Sequence, residues 1–456
     1  MRKKEDEQQK RLKHRASLSH HHHMRIRWKE FFTSENTTLA KDATLAERAV
    51  IVGHIGMMFL SYGTGAWRVR SAMNTIARKL DMTCSADIGL VSLEYTCVDG
   101  EGKSYTQALS LPSTGVNTTK LHYIAKFVRE FEKDDGNWTI GQIHKRLTEI
   151  SKMKAQYTPW QVGLAAALAC GGFTFLLGGG LVEVICAFLG AGAGNYVRRK
   201  MIDHRLTIVA NIIVAVTVAS CVYVGAFYLI RLFVPLSKHL LDGYIGAMLF
   251  VIPGFPFITS GLDMSKLDMR SGLERMAYAL MIILIATSVG WGVAMILNVH
   301  PQDFLPLNLG GVTLTILRLI ASFCGVFGFS IMFNSKIQMA TAAGLIGAIA
   351  NTLRLSLVQW ANMPAAAAAF IGAFVAGMLA SFIHQKIGYP RIAITVPSIV
   401  IMVPGLYMYR AMFNFGFISI NVGARWAMQA LMIIFCLPLG LIVARILTDK
   451  HWRHAG

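Results

Sequence analysis

The pattern of apolar and polar positions changes near residue 157. Before it, the two kinds of residue alternate at helical and strand spacings; from about 158 to 447 the chain is nearly continuous apolar runs broken by short polar loops. A helix that crosses the hydrocarbon layer needs about 20 residues. Ten runs are candidates: 159–180, 181–197, 206–233, 240–262, 275–298, 311–333, 337–358, 363–384, 391–411 and 425–447. In the first third, TLAERAVIVGHIGMMFLSYG and AWRVRSAMNTIARKLDM carry apolar and basic faces at helical spacing, separated by the break from Gly63 to Gly65. CSADIGLVSLEYTCVD and SYTQALSLP are rich in β-formers and flank the turn-forming DGEGK, after which LHYIAKFVREFEKD and TIGQIHKRLTEISKM return to amphipathic helix. The expected organisation is a basic disordered tail (1–40), a small α+β domain (41–157) and two membrane segments (158–300 and 301–450).

Composition agrees: 54% hydrophobic residues, 15% charged ones and a mean hydropathy of +0.48 are too apolar for a soluble protein of this length. The formal charge of +19 raises nucleic acid as a partner, yet the cations sit in RKKEDEQQKRLKHR and in short loops such as RRKMIDHR. The cytoplasmic bias of Lys and Arg in membrane proteins accounts for them. With the N-terminal domain inside, Arg198, Arg199, Lys200, Arg205, Lys266, Arg270, Arg275, Lys336, Lys386, Arg391, Lys450 and Arg453 fall in inner loops, against Arg231, Lys238, Arg410 and Arg425 outside. Both termini are therefore expected in the cytoplasm. No cleavable signal peptide is visible, since the first apolar run starts near Ala49 and is short. The seven cysteines lack CxxC or zinc spacing and read as reduced thiols, so no metal or cofactor is expected. The run His20 to His23 reads as part of a flexible tail.

Sliding the chain against itself exposes a duplication. At a constant offset of 151, Pro253-Gly254 falls on Pro404-Gly405, Gly272 on Gly423, and the pentapeptide from Ala279 to Ile283 on that from Ala430 to Ile434. With small shifts upstream, Cys170-Gly-x-Phe-x-Phe175 falls on Cys324-Gly-x-Phe-x-Phe329, and Asn195-x-x-Arg198 on Asn351-x-x-Arg354. Each copy holds five spans, and an odd number sends the second copy into the membrane from the opposite side. The expected fold is thus ten transmembrane helices as two inverted five-helix repeats.

Pro-Gly in the fourth span of each copy removes a backbone donor and permits non-helical torsions at membrane depth. Lipid cannot satisfy the exposed groups, so paired interruptions point to a protein-enclosed polar cavity, the substrate site of alternating-access transporters. A plain proline kink is the alternative.

IPGFPFITSGLDM with its downstream GLER, GHIGMMFLSYGTGAWRVRSAMNTIARKL and VPSIVIMVPGLYMYRAM resemble the threonine/serine exporter family over about residues 44 to 447. The resemblance implies an inner-membrane, proton-driven secondary exporter of small amino acids, with a cytosolic domain before two fused five-span halves. Some two-chain relatives are associated with dicarboxylate export, which leaves a succinate-type substrate as the second reading, and a membrane-bound enzyme or sensor acting through the N-terminal domain as a third.

A zwitterionic hydroxy amino acid needs donors for its carboxylate, an acceptor for its ammonium and a partner for its hydroxyl. Amides following Gly254 and Gly405 suit the carboxylate; Thr259 and Ser260 suit the hydroxyl; Asp263 suits the ammonium or a coupled proton. At the 151 offset Asp263 meets the neutral Asn414. Asp263 could equally be a solvated loop acid beside Lys266 and Arg270. Glu183 is a second proton-relay candidate or a solvated interfacial acid. Arg318, a third of the way into its span, is expected to face the interior and to bind a carboxylate or pair with Glu183. Pro253, Pro404, Tyr407 and Asn351 complete the candidate lining, with Asn195 and Asn351 also suited to helix packing and Arg198 and Arg354 to snorkelling. In the polar domain His54, Tyr62 and Trp67 form no legible nucleophile–base pair, so no enzyme chemistry is assigned. The expected partners are the solute, protons and lipid, with homo-oligomerisation left open.

Overall fold

The computed structural model describes Trp28 and residues 35–134, 137–235, 237–297, 304, 307–417 and 419–453. His20 to His23 lie outside them. The chain divides into two compact units, one comprising the described residues through Gly115 with Tyr123–Met153, the other Val116–His122 with Lys154 onward.

In the first unit, α1 (Leu45–Ser61) opens on a capping box in which Thr44 and Glu47 satisfy each other's backbone amides. Helix α2 (Ala66–Lys79) follows a turn through Gly63 at φ +84°. Strands β1 (Met82–Ile88), β2 (Ser92–Asp99) and β3 (Ser104–Ser110) form an antiparallel meander in that order. The stretch from Cys84 to Asp99, continuous in β-propensity, is two strands: the chain folds back at Gly89, whose N–H donates to Ser92 O. Leu93, Tyr95 and Cys97 of β2 alternate into the core. Gly53 of α1 lies flat against the Tyr95 ring, where any Cβ would overlap it. Helix α3 (Thr118–Lys133), which belongs to this unit from Tyr123 on, and α4 (Ile140–Lys152, capped by Thr139 and Gln142) are the two predicted amphipathic pieces.

The second unit is helical: α5 (Pro159–Leu176), α6 (Leu181–Asp203), α7 (Ile208–Arg231), α8 (Tyr244–Met248), α9 (Gly254–Met264), α10 (Met269–Leu297), α11 (Gly311–Met332), α12 (Ile337–Trp360), α13 (Ala365–Ile387), α14 (Arg391–Val400), α15 (Gly405–Phe417) and α16 (Ile420–Thr448). Among the described residues seven of these are long and apolar enough to cross a membrane, and two bent pairs, Tyr244–Val251 with Gly254–Met264 and Arg391–Val400 with Gly405–Gly416, bring the number to nine. Ten were expected. The remaining helix, α6, has the length, but Glu183, Asn195 and the Arg198-Arg199-Lys200 run dilute its apolarity.

Helices α5 and α11 cross through small residues and run antiparallel. Tyr157 Oη donates to Ser335 O (2.7 Å) at one end, Gly328 abuts Ala165 and Ala169 in the middle, Gly172 abuts Ala321, and Gly178 faces Phe304 at the far end. We call the end where α5 begins proximal and the other distal. Around that crossing, α6 packs on α7 and α12 on α13, α7 on α10 and α13 on α16, while α9 reaches α16 and α15 reaches α10.

Candidate functional site

The two Pro-Gly segments are built alike. Pro253 sits at φ −82°, ψ 60°, and Gly254 N–H donates back to Ile252 O at 2.9 Å, an inverse γ-turn. Gly405 N–H donates to Val403 O at 2.8 Å around Pro404. Proline supplies the fixed φ and lacks the N–H that would extend the preceding helix. The chain bends by 50° at the first turn and 48° at the second.

The turns meet each other. A Cβ on Gly254 would lie 3.1 Å from Val400 and 3.2 Å from Val403, and a Cβ on Gly405 would press on Leu249 and Ile252. Those partners are themselves 151 residues apart, so each break touches the other with its equivalent residues. The space between is a small void lined by Phe173, Leu249, Ile252, Gly254, Phe329, Val400 and Val403. Sequence reasoning expected a polar hollow there. In this conformation the interrupted backbone is instead sealed by apolar side chains, and the γ-turn bonds satisfy part of what the proline releases.

Asp263 is not the solvated loop acid that one reading expected. At the proximal elbow between α9 and α10 its carboxylate is fully buried, 3.1 Å from the Arg275 guanidinium, which is 3% exposed. Ser271 Oγ donates to the same carboxylate oxygen (2.9 Å) and accepts from Arg275 Nε (3.1 Å). The elbow backbone closes with Asp268 N–H on Asp263 O, and Leu267 takes a left-handed φ of +62°. Thr259 Oγ1 donates to Phe255 O and Pro256 O inside its own helix, and Ser260 Oγ donates to Gly272 O (2.7 Å). Both candidate hydroxyls are thus committed to backbone.

Glu183 is a helix cap: its carboxylate accepts from Gly180 N–H at 2.8 Å at the start of α6. No ion pair joins it to Arg318 among the described residues. Arg318 lies within electrostatic reach of Arg354, as does Tyr407, and Arg354 Nε donates to Asn351 Oδ1 (2.9 Å), whose amide in turn donates to Ser322 Oγ (2.9 Å). Arg354 also sits beside Gly372 and, like Met402, lines that glycine's surface, close to the second break. It is a partnered side chain.

Three features escaped the sequence reading. Arg275, counted there as an inner-loop cation, is the buried partner of Asp263. At the distal elbow, Arg410 stacks over Trp426 (4.8 Å to the centroid), with Tyr407 edge-on to the same ring. The hydroxyls of Tyr244 and Tyr409 bond each other, and Tyr244 Oη also contacts Gly290 O. The only signal for the first was an acid and a base separated by 12 positions across a turn.

In the polar unit, burial and the neighbouring His144 push the His54 imidazole down to about 3, and burial pushes the Tyr62 phenol up to about 12. The His54 ring stacks on Trp28 at 4.0 Å. His54 is a buried side chain packed on that indole.

Seven long apolar helices and two bent pairs define a helical multi-pass membrane protein. The comparisons sharpen this. Residues 50–298 match the family model described as "Putative threonine/serine exporter" and residues 318–447 that described as "Threonine/Serine exporter, ThrE". The chain belongs to the threonine/serine exporter family. It is 24% identical over 239 residues, 52% of its length and 88% of the other, to "Probable succinate transporter subunit YjjP" of Escherichia coli K12. The protein of the same description from Klebsiella aerogenes is 27% identical over 153 residues, 34% of this chain and 57% of that one. An "Uncharacterized protein" of Haemophilus influenzae is 28% identical over 134 residues, 27% of this chain and 44% of that one. No solved structure matches the chain.

Proposed function

We propose that the chain is a proton-coupled secondary exporter of small hydroxy amino acids, threonine and serine, working by alternating access in the cytoplasmic membrane. Both termini lie inside and α6 is the tenth span. The observation that carries the reading is the reciprocal contact of the two γ-turn breaks. A duplication is supported by α10 and α16, both 29 residues long and starting 151 positions apart, and by repeated elbow bonds, Asp268 N–H on Asp263 O and Ser419 N–H on Asn414 O. The antiparallel course of α5 and α11, which open the two copies, supports their inversion.

In this mechanism Gly254, Ile252, Val403 and Gly405 form the barrier of an occluded state. Rocking one copy against the other parts the turns, and the first-turn amides of α9 and α15, which carry partial positive charge, receive the substrate carboxylate. Thr259 and Ser260 exchange backbone partners for the substrate hydroxyl as α9 shifts. A proton on Asp263 cancels its attraction for Arg275 and loosens the proximal elbow, which couples protonation to opening at that end.

Counterflow tests the proposal. Proteoliposomes preloaded with unlabelled threonine should accumulate labelled threonine and serine, and Asp263→Asn should lose the dependence on a pH gradient. Wild-type vesicles that exchange neither amino acid refute it. A second reading, export of a dicarboxylate, is favoured by the descriptions of the relatives and by the engagement of Asp263 with Arg275, which leaves an ammonium group without its acid. Succinate would then exchange and threonine would not, with Arg318 and Arg354 essential.

A further inference from the structure

All seven cysteines are free thiols, and two of them stand opposite each other in the sheet of the first unit: Cys84 on the edge strand β1 is in register with Cys97 on the central strand β2. Opposed residues of an antiparallel ladder alternate between hydrogen-bonded pairs, with Cα atoms about 5.5 Å apart, and non-hydrogen-bonded pairs at about 4.5 Å. Gly89 and Ser92 are of the first kind, since Gly89 N–H donates to Ser92 O. Five steps along the unbroken register, Cys84 and Cys97 are of the second. A disulfide spans Cα atoms about 4.4–6.8 Å apart, so the ladder already holds the two at bridging distance. Their thiols meet, each being the other's side-chain hydrogen-bond partner.

The two members of the pair differ. Cys97 is at 0% exposure, on the face of β2 that carries Leu93 and Tyr95 into the core, whereas Cys84 is half-buried at the sheet edge. The S–H of Cys97 donates to Cys84 and holds that thiol below its ordinary range, while the same bond and burial push Cys97 up. The ionised sulfur is the nucleophile in thiol chemistry, and an acidic, accessible thiol beside a second one that can resolve it is the arrangement of peroxide-reacting cysteines. The other five, Cys170, Cys186, Cys221, Cys324 and Cys436, lie in helices of the second unit.

We propose that Cys84 and Cys97 are a peroxide-reactive modification site, with Cys84 as the attacking sulfur and Cys97 as the sulfur that resolves it into a reversible disulfide. Cys84 attacks one oxygen of hydrogen peroxide; the O–O bond breaks, a sulfenic acid forms on Cys84 and the other oxygen takes a proton and leaves as water. Cys97 then attacks the Cys84 sulfur, the S–O bond breaks, the S–S bond forms and a second water leaves with the Cys97 proton. Two thiols and one peroxide give one disulfide and two waters, the sulfurs losing the two electrons that the peroxide gains. The product ties the edge strand to the central one. The proposal rests on the first unit alone and is independent of the export reading.

The test treats the full chain in detergent with graded hydrogen peroxide, quenches with N-ethylmaleimide in denaturant and cleaves with trypsin, which releases residues 80–103 as one peptide holding both cysteines. Without peroxide that peptide should carry two maleimides. With peroxide it should carry none and weigh two hydrogen atoms less than the unlabelled peptide, and dithiothreitol should restore both thiols. Cys97→Ser should stop at a Cys84 sulfenic acid that dimedone captures, and Cys84→Ser should leave Cys97 open to maleimide. Two maleimides on the wild-type peptide, under peroxide that turns free cysteine in the same buffer into cystine, overturn the proposal. So does sulfinic acid in place of the disulfide, or oxidation of Cys97 in Cys84→Ser at the wild-type rate. The wild-type mass decides the pairing by itself, so a variant that fails to fold leaves the test intact.

Discussion

The two elbows that follow the breaks share two backbone hydrogen bonds and differ in their side-chain chemistry. Between α9 and α10 the chain turns with Asp268 N–H on Asp263 O and Gly272 N–H on Asp268 O; between α15 and α16, 151 residues on, Ser419 N–H meets Asn414 O and Gly423 N–H meets Ser419 O. The first elbow encloses Asp263, Ser271 and Arg275 in a buried ion pair. In the second, the positions of Asp263 and Arg275 hold Asn414 and Trp426, and cohesion comes from Arg410 and Tyr407 on the indole. The backbone hydrogen bonds at the two elbows match, while the side chains at the same offset positions differ in charge and shape. Among the described residues the proximal elbow carries carboxylates and the distal one carries none.

The largest expected effect breaks the comparison outright. Arg275→Ala leaves Asp263 charged and buried without its partner and should cost about 3–5 kcal/mol of stability. Trp426→Leu removes one aromatic edge contact and one half-exposed cation–π contact and should cost about 1–2 kcal/mol. Thermal unfolding of both variants in one detergent decides it: equal midpoints would mean that the ion pair is no more than packing. Asp263→Asn with Arg275→Met should recover much of what Arg275→Ala loses, because the uncompensated charge is gone.

Any pH effect at the elbow must be separated from one in the polar unit. His54 is held at about 3 by burial and His144, against about 6.5 when unfolded. Between those values the unfolded chain binds the extra proton, so stability rises with pH there: the contribution is complete above about 6.5 and is lost as pH falls toward 3. At pH 5 the loss should be about 2 kcal/mol. Hydrogen exchange of α1 amides in the full chain, compared at pH 7 and pH 5, should show the loss in wild type and its absence in His54→Phe. Acid sensitivity of α1 that persists in His54→Phe would assign it elsewhere.

How much of this the sequence made legible follows from what each feature depends on. The breaks were readable because proline and glycine act on the backbone wherever they stand. The interior pairing was not. Whether Asp263 reaches Arg275 depends on the angle of a turn between two helices, and no local propensity encodes it, so Arg275 counted merely as a loop cation. The same holds for Glu183, whose carboxylate turned back on the Gly180 amide. The stretch Cys84 to Asp99 misled for the opposite reason: its β-propensity is unbroken, and one glycine at 89 decides that it is two strands.

The smallest effect concerns the contact between the breaks, where near-symmetry predicts near-equality and the details do not. A methyl on Gly254 meets Val400 and Val403 at 3.1 and 3.2 Å, a fit that a few tenths of an ångström relieves; a methyl on Gly405 overlaps Cδ1 of Ile252. Gly405→Ala should therefore destabilise by about 1 kcal/mol and Gly254→Ala by less. Ile252→Val removes the one carbon that is struck, so the double variant Gly405→Ala with Ile252→Val should regain stability over Gly405→Ala alone, with a coupling of about 0.5 kcal/mol or more in a double-mutant cycle. Additive losses would show that the two turns do not touch in the resting protein. In counterflow, the same rescue should restore exchange if the turns must slide past each other, because the obstruction and the barrier are then the same few atoms.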